Sequence, residues 1–301
     1  MFAPTPAPPI EEVSRAPVAV VGSLSPSRAA DFKTCPLLYR FRSIDRLPEK
    51  PTRDATRGTV VHAVLEHLYD LPAAERTVQA ARGAVLPSWQ ELLAGDPGLA
   101  ELFSDDHTGT ELARWLESAR GLVANYFELE DPRHLEPEAR EQLVEVVLDG
   151  LRLRGYVDRL DISPTGDIRV VDYKTGAIPR EAFEAKALFQ MKFYALVLWR
   201  TRGVVPRQLR LIYLADKDTL TYQPDADELG RFERTLRAIW KAIDTASATG
   251  DFRASPSRLC DWCSHQALCP AKGGTPPPFP TAAAVAEQVA GHGETTIEPR
   301  R

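Results

Sequence analysis

The chain has no long apolar run. Nowhere in its 301 residues does a stretch approach the roughly 20 apolar residues that a membrane helix needs, so neither a membrane span nor a membrane partner is expected. A secretory leader is missing as well. The opening MFAPTPAPPIEEV is proline-rich and acidic and lacks the basic start and apolar core of a signal peptide, which makes a cytoplasmic location the expectation. Cysteine is scarce: Cys35, Cys260, Cys263 and Cys269 are the only four. Two disulfides would be unusual in a cytoplasmic protein of this size, so metal binding or catalysis is the better first reading of these thiols. An excess of positive charge is absent too. A net charge of −5 argues against a protein that coats nucleic acid through a broad basic face. It leaves room for a local basic channel, because carboxylates that hold metal ions add negative charge of their own.

What is present is ordinary globular composition, 44% hydrophobic and 26% charged, in a chain long enough for one large domain or two small ones. No internal repeat is visible. Residues 1–22 carry five prolines and little periodicity and read as a disordered arm; residues 274–301, beginning GTPPPFPTAAA, read as a disordered tail. The ordered body is therefore expected over 23–273. Ser25 with Pro26 announces a short helix toward Lys33. A second helix is signalled by Val60, Val61, Val64, Leu65 and Leu68 at helical spacing. Residues 86–130, broken by GDPG at 95–98, read as a helical insertion to which no chemistry can be assigned.

The pattern then becomes that of strands. LVEVVL (143–148) and LRLRGYV (151–157) flank Asp149-Gly150, the dipeptide of a tight hairpin turn, and IRVVDYK (168–174) follows the turn SPTGD. An antiparallel meander results. A strong helix at 181–200, strands near 208–215 and 219–223 and a helix at 226–248 complete the body before a cysteine-cluster region at 257–273. Helices on a mixed sheet make this an α/β (α+β) fold.

The sharpest chemical signal lies in GYVDRLDI and IRVVDYKTG. Residues i and i+2 of a strand share a face, so Asp172 and Lys174 point together while Tyr173 points away. Asp158 comes within reach if the meander pairs. Two carboxylates converging beside a lysine form a hard oxygen site suited to Mg²⁺ or Mn²⁺, and the lysine can orient a water or offset charge on a phosphate. By itself, D-x-K on a strand reads more readily as a surface ion pair, with Asp158 a turn residue.

GYVDRLD, VVDYKTG and QMKFY together resemble the RecB-like exonuclease family of the PD-(D/E)xK nuclease superfamily. The resemblance implies a restriction-endonuclease-like core and a metal-dependent DNA exonuclease acting on single-stranded ends in repair or recombination. It implies Asp158 and Asp172 as metal ligands and catalytic residues, with Lys174 as the partner of Asp172. It adds His62, in a G-x-x-x-H context with Gly58, as a further metal ligand. Gln190 and Tyr194, four apart on a helix, match the family's Q-x-x-x-Y motif and are implied to line the active site. Glu141 fits the family's acidic position before the hairpin loosely, with Glu138 and Glu145 competing. The alternatives are a flap-type endonuclease and a non-catalytic Cys₄-metal protein that binds DNA or another protein.

Cys260-x2-Cys263-x5-Cys269, with Cys35 far upstream, is competent for an iron–sulfur (4Fe-4S) cluster or for structural zinc, and spacing does not separate the two. One remote ligand with three near the C-terminal end resembles the iron–sulfur staple of several RecB-like nucleases. Around the first cysteine, Tyr39 and Phe41 interleave with Arg40, Arg42 and Arg46, a pattern of aromatics for unpaired bases and arginines for phosphates. Tyr39, Arg40 and Arg42 are accordingly expected as DNA contacts. The chain carries no G-x-x-x-x-G-K-S/T loop, so any unwinding would come from a partner helicase or another repair protein.

Overall fold

A computed structural model describes residues 22–178 and 181–280, with only the backbone described over 181–186. Most of the expected arm (1–22) and tail (274–301) falls outside these residues. Six strands form one mixed sheet: β1 (Ser23–Leu24), β2 (Ala139–Leu148), β3 (Leu151–Ile162), β4 (Ile168–Lys174), β5 (Gln208–Tyr213) and β6 (Asp218–Tyr222). The α-helices are α1 (Pro26–Thr34), α2 (Pro36–Tyr39), α3 (Arg53–Leu68), α4 (Val78–Gly95), α5 (Thr110–Leu129), α6 (Glu181–Arg202) and α7 (Ala226–Thr249).

Asp149 and Gly150 turn the chain between β2 and β3 with φ of 48° and 83°, the two positive values that a tight type I′ turn requires. The hairpin register follows from that turn, running from Leu148↔Leu151 out to Ala139↔Leu160. β4 then pairs antiparallel with β3 and parallel with β5, so the meander becomes a mixed sheet once α6 carries the chain back across it. The helix starts follow the capping chemistry: Ser25 Oγ accepts from Arg28 N–H, and Thr52 Oγ1 from Ala55 N–H.

Two apolar cores lie on opposite faces of the sheet. On one face α1, α2, α6 and α7 pack with Leu153, Val157, Leu160 and Val170. On the other, α3, α4 and α5 bury Val60, Val64, Leu65 and Trp115 against Val171, Tyr173 and Ile212. The helical region expected as an insertion over 86–130 thus begins at Val78 and is itself a layer of the core. Pro87 looks like a boundary in the sequence, yet α4 continues through it. The C-terminal limit of the body also shifts. Phe279 stacks on Phe252 (centroids 5.7 Å apart) and lies under the Arg40 guanidinium, so residues 274–280, expected as tail, pack against the domain.

Candidate active site

The site sits where β3 and β4 part. Their ladder runs from Ile162↔Ile168 to Arg159↔Val171 and stops there. Further along, β1 takes the same edge of β3 at Arg152 and Leu153. Residues 154–158 therefore have no strand partner on that edge, and Asp158 lies at the fork. Its Oδ2 accepts the Tyr173 N–H at 2.7 Å, so a side chain replaces the missing ladder carbonyl.

α3 brings His62 to this point. A Cβ on Gly58 would lie 3.2 Å from Thr175 Oγ1, which shows how closely the helix approaches the end of β4. One turn on, His62 Nε2 lies 3.0 Å from the Tyr173 carbonyl oxygen and donates to it as N–H. That contact fixes the ring so that Nδ1 faces Asp158 (3.5 Å) and Glu141 (3.6 Å). Donor atoms of His62, Glu141 and Asp158 all lie within 4.8 Å of one another. Glu141 is thus the acidic residue of β2 that reaches the cluster, ahead of Glu138 and Glu145. It does so with φ of 41°, a left-handed backbone uncommon outside glycine. No sequence pattern announced that φ.

Asp172 stands beside this cluster rather than within it. It is 1% exposed, and its Oδ2 pairs with Lys174 Nζ at 2.6 Å. That close pair still leaves Oδ2 without a well-directed hydrogen bond among the described residues. Lys174 also donates to Gln190 Oε1 at 2.9 Å, and Gln190 Nε2 donates to Tyr194 Oη at 2.9 Å, so the predicted Q-x-x-x-Y pair forms a chain ending on the lysine. Tyr194 in turn explains the glycine of GYVD. A Cβ on Gly155 would lie 2.8 Å from the Tyr194 ring, too close for any other residue without a shift.

The electrostatics are those of a site with surplus negative charge. Burial alone would push the His62 imidazolium down, but Glu141, Asp158 and Asp172 outweigh it and hold the group up to about 9. Burial, then repulsion from Asp172, pushes the Asp158 carboxyl up to about 7, against the pull of His62 and the Tyr173 N–H. Burial likewise disfavours the Lys174 ammonium, yet Asp172 and Asp158 keep it above its ordinary value. A cluster that gathers protons in this way, with donor atoms of His62, Glu141 and Asp158 turned to one point, suits a divalent cation bound by hard oxygen and imidazole donors. The open cleft lies between α3 (Gly58, Thr59, His62) and the hairpin (Glu141, Tyr156).

Beside the fork, beneath α3 and α5, Arg159 is fully buried. It makes paired hydrogen bonds to Glu130 (2.8 and 3.2 Å), contacts Asp161 at 3.1 Å, and donates to Tyr173 Oη (2.8 Å) and Tyr126 Oη (3.1 Å). This network anchors Tyr173, the residue between Asp172 and Lys174. Nothing in the residue pattern foretells it beyond an arginine within a strand.

Near Cys35, the residues expected to contact DNA are engaged within the protein itself. Tyr39 is 3% exposed, packed edge-on to Phe32 and stacked with Phe252. Arg40 is buried, paired with Asp45 at 3.0 Å and bonded to the Pro277 carbonyl. Arg42 is held by Asp31 and Glu49, each at 2.8 Å. Tyr39 and Arg40 thus serve the core and a buried ion pair, whereas Arg42 makes its ion pairs at the surface.

All four cysteines line one cavity of about 220 Å³, with Leu37 and Phe41 among its apolar walls. Backbone N–H groups of Ser255 and Ser257 donate to Cys35 Sγ and Cys260 Sγ, each at 3.3 Å. Among the described residues, no three of the sulfur atoms lie within 4.8 Å of one another.

Comparison with known proteins agrees with this geometry. The chain is 24% identical over 291 residues to the Gene 69 protein of Mycobacterium phage L5, covering 82% of this chain and 95% of the relative. It is 28% identical over 274 residues to the Gene 69 protein of Mycobacterium phage D29, covering 82% and 96%. The crystal structure of a provisionally assigned exonuclease from Eubacterium rectale shares the fold, with a TM-score of 0.54 at 13% identity over 81% of this chain and 87% of that one. No helix among the described residues is long and apolar enough to cross a membrane. The sequence profile of the PD-(D/E)XK nuclease superfamily matches residues 23–270, and the chain belongs to that superfamily of hydrolytic nucleases.

Proposed function

We propose that this protein is a RecB-like, Mg²⁺- or Mn²⁺-dependent DNA exonuclease that hydrolyses single-stranded ends in repair or recombination. The observation that carries the reading is the convergence of His62, Glu141 and Asp158 on one point, with Asp172 and Lys174 beside it. Nucleases of this superfamily typically use divalent metals, and these donors fit one. His62 Nδ1, Glu141 and Asp158 would hold the ion, with Asp172 adding charge. When bound, a divalent ion lowers the pKa of a coordinated water and draws charge from the phosphate in the transition state.

The chain's own groups supply the rest. Lys174, kept charged by Asp172 and held in place by Gln190, would offset the charge that a phosphate oxygen gains in the transition state. Tyr194 fixes Gln190 from behind. The Tyr173 carbonyl fixes the His62 tautomer, and the Tyr173 N–H fixes the Asp158 carboxylate.

The four cysteines are assigned to a 4Fe-4S cluster with a structural role. A tetrahedral zinc with S ligands at about 2.3 Å would bring its sulfurs within about 3.8 Å of one another. Thiols spread around a cavity, two of them accepting backbone N–H bonds, suit a body several ångströms across instead.

The test is hydrolysis of end-labelled linear and of circular single strands with Mn²⁺. Release of mononucleotides or short products from the linear strand, with the circle spared, is expected. Asp172→Ala and Lys174→Ala proteins should each lose at least about 100-fold in rate. Digestion by either variant at the parent's rate would remove the catalytic assignment. Cutting of circles would favour the endonuclease reading.

A further inference from the structure

The hairpin surface leading away from the acidic cluster carries a second pattern. Side chains two apart on a strand share a face, about 6.6 Å from one to the next. Tyr156, Arg154 and Arg152 of β3 therefore follow one another outward from Asp158. Tyr156 lines the same cleft as His62 and Glu141 and is 53% exposed, so its ring supports no core. Leu143 stands directly opposite it on β2 and is 42% exposed, extending the apolar lip.

Arg42, Arg133 and Arg253 each have a carboxylate within 3 Å. Arg154, by contrast, makes no ion pair or hydrogen bond among the described residues. Arg152 reaches only Glu145, at 3.4 Å and half in solvent, a contact worth little.

We infer that the outward face of β3 is a track for a single DNA strand, in which Tyr156 stacks on an unpaired base beside the cleaved phosphate and Arg154 takes a neighbouring phosphate. This inference rests on the nuclease reading of the cluster and adds the residue that selects unpaired substrate. In a duplex the base faces are already stacked on one another, so a side-chain ring gains a base only where pairing has ended. Aromatic stacking with tracking cations is the chemistry of single-strand grooves. Exposed Arg152 and half-buried Arg154 also provide local positive charge that the net charge of the chain does not.

The experiment is equilibrium binding, by fluorescence anisotropy in EDTA, of a labelled single-stranded oligonucleotide and of the same sequence as a blunt duplex. Tyr156→Ala should weaken single-strand binding by roughly tenfold and leave duplex binding unchanged, whereas Tyr156→Phe should bind like the parent. Arg154→Ala should weaken both and reduce the salt slope by about one. Mn²⁺ binding by the Tyr156→Ala protein, followed by electron paramagnetic resonance, should match the parent and so verify an intact site. Single-strand binding by Tyr156→Ala within twofold of the parent would overturn the inference, as would an equal loss for duplex, and the exposed strip would then belong to a protein partner. Because binding is read without cleavage, a parent that binds but does not cut contradicts the proposed function alone. A parent that cuts while Tyr156→Ala binds normally contradicts the track alone.

Discussion

Asp158 shows how much one side chain carries at this fork. Its carboxylate closes the Tyr173 N–H that the strand ladder leaves open and meets His62 and Glu141 from the same oxygen. Gly155, three residues earlier, has a different duty: it makes room for Tyr194, the last member of the chain of hydrogen bonds that ends on Lys174. Gly155→Ala should therefore displace the ring, cost about 1–3 kcal/mol of stability in denaturant unfolding, and lower cleavage through a Lys174 no longer held by Gln190. Unchanged stability and rate would show that the contact is slack. Asp172, Lys174 and the Gln190–Tyr194 pair were readable in advance because strand and helix periodicities place them on common faces. Glu141 was not, since its approach depends on a left-handed backbone that nothing in REQLVEV encodes visibly. The burial of Tyr39 and Arg40 was hidden for a related reason: composition does not tell an aromatic or a paired arginine in the core from one at a groove.

Among the elements, β3 is the one on which the site depends. It pairs with β2 along its whole length, with β4 only at one end and with β1 only at the other, and the gap between those two is where the chemistry gathers. Beneath α3 and α5 it is fixed by Arg159. Removing one partner of a buried ion pair leaves the other charge unpaired, so Glu130→Gln should destabilise the fold by about 3–5 kcal/mol. A pH effect accompanies it. Burial would raise the Glu130 carboxyl, but Arg159, Arg210 and Arg169 outweigh burial and hold it below its ordinary value. A depressed folded-state value means stability that is full above the unfolded value near 4.5 and is lost as pH falls through the folded one. The parent should lose stability over that acid range, and Glu130→Gln should lose correspondingly less there. Parallel pH–stability curves for the two proteins would contradict the role given to this pair. The strands themselves were legible from alternation and the Asp149-Gly150 turn, whereas the bond network behind them was not, because it joins residues about 30–90 positions apart.

At the scale of the whole molecule, the chain is closed on itself near its ends. Cys35 precedes α2, the other three cysteines follow α7, and Phe279 packs back onto Arg40 and Phe252. Closing so long a loop restrains the unfolded chain, and any energy of binding at the cysteines becomes folding energy. Anaerobically purified protein should be brown, with a broad visible band and about four irons per chain, and Cys269→Ser should lose the colour and melt at lower temperature. A colourless protein containing zinc would contradict the cluster assignment while leaving the acidic site untouched. The sequence made the four thiols conspicuous and signalled helices at α3 and within 86–130, but not that α4 starts at Val78, runs through Pro87 and joins α3 and α5 in one core layer.

If His62, Glu141 and Asp158 bind the metal on which DNA cleavage depends, the rate of single-strand hydrolysis against Mn²⁺ concentration reports it. The parent should be inert in EDTA and saturate with Mn²⁺, while Glu141→Gln should need at least about tenfold more Mn²⁺ to reach half its own maximal rate. Cleavage by the parent in EDTA, or a Glu141→Gln protein with the parent's metal dependence, would contradict it.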